Sequence, residues 1–180
     1  WTKSKCRTRN SSKNDGNFKK QTMSLNFRNI LPKSADNDYK GHKLALWGFV
    51  LFVILMTWRS IIHMLFEQYG FHDIGSFLSI SGDPDPMPII YRFFSLWGFT
   101  QLIFCFVCLI VIFRYRSLIP LMYIFWLFEW SFRLFGYPLI REEIAVQGLY
   151  TTNITPGVYY APLAALILII SFGLSILERK

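Results

Sequence analysis

Residues 93–135 read FFSLWGFTQLIFCFVCLIVIF, then Arg114-Tyr115-Arg116-Ser117, then LIPLMYIFWLFEWSFRLF. Each apolar run approaches the length of about 20 residues that a helix needs to cross a membrane. The joint between them is four residues long and carries two arginines. So short a joint forces the two helices antiparallel, and its charges place it at a membrane surface. Pro120 falls in the first turn of the second helix, where a missing N–H costs little.

Two more runs of this kind flank the hairpin. Leu44 to Phe66 reads LALWGFVLFVILMTWRSIIHMLF, and Val158 to Leu177 reads VYYAPLAALILIISFGLSIL. The first is too long for the apolar core of a cleaved signal peptide and has no small-residue cleavage site after it. Composition agrees: 53% of the 180 residues are hydrophobic and 17% are charged, where a soluble domain carries about 25% charged residues. Mean hydropathy is +0.33. These values exclude a disordered chain, and three cysteines exclude a disulfide scaffold. The expected fold is all-α: an integral membrane four-helix bundle with antiparallel up-down spans at 44–66, 93–113, 118–135 and 158–177. These spans form one domain over 44–180, with membrane lipid as its surroundings.

The formal net charge is +8, and all of it belongs to residues 1–43, which hold eleven Lys/Arg and three Asp. This basic stretch is expected to be a disordered tail. Residues 1–22, which precede the first methionine, Met23, lack any apolar period and read as a leader or an upstream frame translated in error. No basic residues alternate with aromatics on a helix or strand face, so nucleic acid is not an expected partner. From Met23 onward, one side of a four-span chain collects Arg28, Lys33, Lys40, Lys43, Arg114, Arg116, Arg179 and Lys180. The other collects only Arg92 and Arg141. Basic loops stay inside, so both termini are expected on the cytoplasmic side of the plasma membrane. Trp58, Trp97, Trp130, Tyr159 and Tyr160 then form an aromatic belt near the outer surface.

The outer loops differ in character. Gly82-Asp83-Pro84-Asp85-Pro86-Met87-Pro88 is too proline-rich for helix and reads as a rigid extended turn. The apolar piece Phe77 to Ile80 suits an interface. The loop from Gly136 to Gly157 is expected to hold a short helix around Ile140 to Leu149. Leu46-Trp47-Gly48-Phe49 recurs as Leu96-Trp97-Gly98-Phe99, an echo that chance supplies easily in Trp- and Phe-rich spans.

Charged residues inside a span cost about 2.5–3.5 kcal/mol near its centre. Arg59 and His63 stand in the first span, Glu129 and Arg133 in the third. From helix rise, Arg59, Glu129 and Arg133 lie roughly 17–23 Å above the inner end, all in the outer half. Arg59, His63 and Glu67 fall on one helical stripe, and Gln101 sits on a stripe of the second span with Trp97, Cys105 and Cys108. The expected cluster is Arg59, His63, Gln101, Glu129 and Arg133, open to the outside, with Arg59–Glu129 as the interhelical ion pair. Arg92, Tyr159 and Tyr160 are expected at its rim.

The first reading of this cluster is structural: it organises the bundle, alone, as a homo-oligomer, or within a larger membrane assembly. The second is an outward-facing site for a small anionic molecule or a lipid headgroup, since arginines outnumber carboxylates. The third is an enzyme using Glu129 or His63 as acid or base, for which no nucleophile is evident. Cys105 and Cys108 make a CxxC that lies mid-span among apolar neighbours, so it reads as packing rather than redox chemistry. Asp73, Asp83 and Asp85 lack the calcium-loop pattern. Asn153-Ile154-Thr155 fits a glycosylation acceptor but is followed by Pro156. The histidines lack metal-ligand spacing and no nucleotide or hydrolase motif occurs, so neither cofactor nor metal is expected.

Overall fold

The computed structural model describes residues 23–140 and 149–179. The first 22 residues, including Cys6, and most of the helix expected at 140–149 lie outside them. Four long helices dominate: α1 (Lys43–Leu65), α2 (Met87–Arg114), α3 (Ile119–Ser131) and α4 (Ala161–Ile176). Three stretches, Lys43–Leu65, Met87–Arg114 and Arg116–Ile140, are long and apolar enough to cross a membrane, while α4 is apolar but shorter.

The helix starts follow from local chemistry. His42 caps α1 by accepting a hydrogen bond from the Leu44 N–H at 3.1 Å. Pro88 and Pro120 occupy the first turns of α2 and α3, where no intrahelical N–H bond is lost. α2 begins at Met87 rather than Phe93, so Tyr91 and Arg92 are helical. Its 28 residues extend about 42 Å. The third helix also outruns its expected end at Phe135. A π-helical turn, Phe132–Gly136, carries it into Tyr137–Ile140. Pro138 in a regular helix would crowd the carbonyl of Leu134, and the wider turn relieves that conflict.

The buried stripe of α1 is Ala45, Phe49, Val53, Met56, Ser60 and His63, spaced three or four residues apart. Its remaining faces are apolar too: Trp47, Leu51, Ile54 and Trp58 are exposed. Helices apolar on all sides suit a hydrocarbon surrounding, not water. α1 packs along α2, and α3 packs along α4. The two pairs meet through Phe49–Tyr123 and Phe52–Trp126, with ring centroids 5.1 and 5.0 Å apart. Tyr123 donates a 2.7 Å hydrogen bond to the Ala45 carbonyl. Gly98 lets α1 and α2 close up: a Cβ there would lie 2.7 Å from the Met64 nitrogen and 2.8 Å from His63 Cβ.

One end of this assembly gathers the N-terminal segment, the α2–α3 joint and the C-terminus. Residues 23–42, expected to be tail, are folded onto it. Met23–Leu25 pairs antiparallel with Leu177–Arg179. Asn26 and His42 donate backbone bonds to Ile176 and Leu174, each at 3.0 Å. The Ser117 hydroxyl accepts from the Asp36 N–H and donates to the Asp36 carbonyl, both at 2.9 Å. These bonds give order to a segment without apolar period. At the opposite end residues 76–78 meet residues 150–152. An isolated antiparallel bridge joins Phe77 to Thr151, with Leu78 N–H bonding the Tyr150 carbonyl at 2.9 Å and Thr152 N–H the Ser76 carbonyl at 2.8 Å.

Candidate ligand-binding cleft

Toward the loop end the two helix pairs part, leaving a cleft of about 1410 Å³. Its walls are mostly aromatic and aliphatic, from α1, α2 and the third helix. Residues 70–77 and 155–160 contribute at its loop end. Arg59, His63, Glu129, Arg133 and Tyr160 all line it.

Their pairing differs from the expected one. Glu129 does not bind Arg59. It is held by Arg133 of its own helix, whose Nε donates to Glu129 Oε1 at 2.7 Å and whose Nη2 reaches the same oxygen. A partner four residues away on one helix needs no interhelical alignment, so it wins. Arg59 turns instead to its neighbour across the α1–α2 interface: Nη1 donates to Gln101 Oε1 at 3.3 Å. Among the described residues, no carboxylate lies within ion-pair distance of Arg59.

Trp97 ties the two cations together. Its ring centroid is 5.0 Å from the Arg59 guanidinium carbon and 4.9 Å from that of Arg133. Arg133 also lies over Trp130, at 5.4 Å. Cation–π contacts of this length compensate part of the desolvation of a guanidinium without neutralising it. The Trp130 indole nitrogen and Glu129 Oε2 are buried and lack hydrogen-bond partners among the described residues.

Gln101 is not in the cleft. It is buried between α1 and α2, where its Oε1 also accepts from Ser60 Oγ at 3.1 Å. Ser60 was not anticipated; its signal was a small polar residue on the buried stripe of α1. His63 stays on the expected face. Its Nδ1 lies 2.7 Å from the Arg59 carbonyl and therefore carries the proton, and its ring stacks on Phe94 at 4.6 Å. Glu67 leaves the stripe because α1 ends at Leu65 and Phe66 takes φ −128°, ψ 52°, outside the helical region.

The expected rim is split. Tyr160 lines the cleft, while Tyr159 is not a lining residue and sets its ring edgewise to Tyr160. Arg92 belongs to a second pocket of about 1030 Å³, beside Glu67 and Asp85. Cys105 and Cys108 are free and fully buried. No group of three His, Cys, Asp or Glu side chains is placed to hold a metal among the described residues.

The fold and cleft define a class: a helical protein with three helices long and apolar enough to cross a membrane. Comparison of the chain with known protein families, curated proteins and solved structures finds no match that would narrow it further.

Proposed function

We propose that the protein is a four-span plasma-membrane protein whose cleft binds an anionic headgroup. α4 supplies the fourth span. Its 16 residues reach about 24 Å, and the turn Pro156–Tyr159 lengthens the apolar run. The end holding residues 23–42 and the α2–α3 joint faces the cytoplasm, because Arg28, Lys33, Lys40, Arg114 and Arg116 gather there. The cleft then opens in the outer half of the bilayer.

The observation that carries the binding reading is Arg59. It faces a large, mostly apolar cleft with an amide and an indole as its direct contacts, while the nearby Glu129 carboxylate is engaged by Arg133. A charge kept at this depth without a carboxylate in direct contact is costly, and an anionic guest supplies that contact. The organising role first expected of the whole cluster narrows to Gln101 and Ser60, which join α1 to α2.

The test compares phosphatidic acid with phosphatidylcholine as ligands for the detergent-solubilised protein. Phosphatidic acid should raise the thermal transition, and Arg59→Gln should weaken its binding about tenfold or more, the worth of a charge-assisted hydrogen bond. Equal effects of the two lipids, or binding unchanged in the Arg59→Gln variant, would contradict the assignment.

A further inference from the structure

The site just proposed has a geometry that says more about its guest, and this step rests on that reading. Pockets for drug-sized ligands run to about 300–1,000 Å³, and this cleft is larger, at about 1410 Å³. Charge is concentrated at Arg59, Arg133 and Glu129, and nearly everything else lining the space is apolar. A compact anion would fill only the charged part. Toward the sides, the lining residues Trp58 and Phe128 are 58% and 70% exposed on the apolar outer surface of α1 and α3. The loop end is crossed by the Phe77–Thr151 bridge, which His72 reinforces by hydrogen-bonding the Phe77 carbonyl at 2.8 Å and Tyr91 Oη at 2.5 Å.

We infer that the occupant is an acidic amphiphile, with at least one acyl chain, that slides in sideways from the lipid between α1 and α3. Its anionic head meets Arg59 beside Trp97, and its chain lies against the aromatic wall toward Phe128. The Phe77–Thr151 bridge stands across the direct route from the aqueous phase. Charge selects the head, and the missing lateral wall admits the tail.

The experiment uses the full chain in detergent with two probes sharing one head chemistry, phosphatidic acid and glycerol phosphate. Phosphatidic acid should bind while glycerol phosphate at the same concentration should not. A second arm fastens the loop bridge. Phe77 and Thr151 are paired without direct ladder bonds, a position at which Cα atoms approach within disulfide reach. In the Phe77→Cys/Thr151→Cys variant, oxidised and reduced forms should take up phosphatidic acid at rates equal within about twofold. Equal binding of glycerol phosphate, or uptake blocked on oxidation and restored on reduction, would overturn sideways access while leaving the anion site in place. Binding of neither phosphate probe above the level of phosphatidylcholine would overturn the anion site itself, and this inference with it.

Discussion

Arg59 Nη1 lies 3.3 Å from Gln101 Oε1, across the interface of the first two helices. The same amide oxygen accepts from Ser60. One neutral side chain thus fastens α1 to α2 and holds an arginine that has no carboxylate within ion-pair distance among the described residues. Replacing Gln101 by Leu should cost about 1–3 kcal/mol, because it leaves the Arg59 donor unsatisfied, whereas the Ser60 hydroxyl keeps its 2.7 Å bond to the Met56 carbonyl. Ser60→Ala should cost less, since Arg59 and Gln101 stay paired. Thermal unfolding of the two variants in one detergent checks the order.

The Arg133–Glu129 pair predicts a different pattern. Its side chains are 22% and 31% exposed, so it is neither a surface pair nor a dry one. Arg133→Gln strands a carboxylate and should destabilise by about 1–2 kcal/mol, below the range for fully buried pairs. The double variant Arg133→Gln/Glu129→Gln should recover most of that loss. A double-mutant cycle in detergent shows whether the coupling exists.

The repeated Leu-Trp-Gly-Phe segment gives an internal contrast. Gly98 faces the backbone of His63 and Met64, so Gly98→Ala overpacks the α1–α2 contact and should cost about 1–3 kcal/mol. At Gly48 a Cβ would meet only Ser171 Oγ and Tyr123 Oη at 3.6 Å, an ordinary contact. Gly48→Ala should therefore be neutral or gain up to about 1 kcal/mol from helix propensity. Thermal stability of the two alanine variants separates the sites.

Ser117 anchors the N-terminal segment through both bonds of its hydroxyl to Asp36. Ser117→Ala should leave the helices intact and speed amide exchange of Asp36 by about tenfold, the loss of roughly one hydrogen bond. Hydrogen-exchange mass spectrometry of residues 30–42 reads this locally. Exchange unchanged there would mean the segment is held by its strand pairing and the Asn26 and His42 bonds instead.

The helices were legible because a long apolar run permits little else, but the two helices joined at 114–117, expected as a tight pair, pack less on each other than α1 on α2 or α3 on α4. Arg59, Glu129 and Arg133 line one cleft, and their similar rise along their helices was visible in the sequence. Azimuth was not. Whether Arg59 points at the second or third helix depends on how α1 packs, which Gly98 decides through a close approach that resembles any other glycine in sequence. The Glu129–Arg133 spacing was visible, but its preference over an interhelical partner was not. Residues 23–42 offer only the brief alternation Met23, Leu25, Phe27, too short to read as a strand, and their bonds run to Ser117, Leu174 and Ile176, far away in the chain. The loop bridge at Phe77 and Thr151 is likewise a single long-range pairing with no local signature.

In the proposed site, Arg59 awaits an anion in a lipid-accessible cleft. A density map of the protein in a nanodisc containing phosphatidic acid tests it most directly. The account predicts elongated non-protein density with its head within about 4 Å of the Arg59 guanidinium, the reach of an ion pair, and its tail running toward Phe128. A map in which Arg59 pairs with the Glu129 carboxylate and the cleft is filled by protein side chains would contradict it.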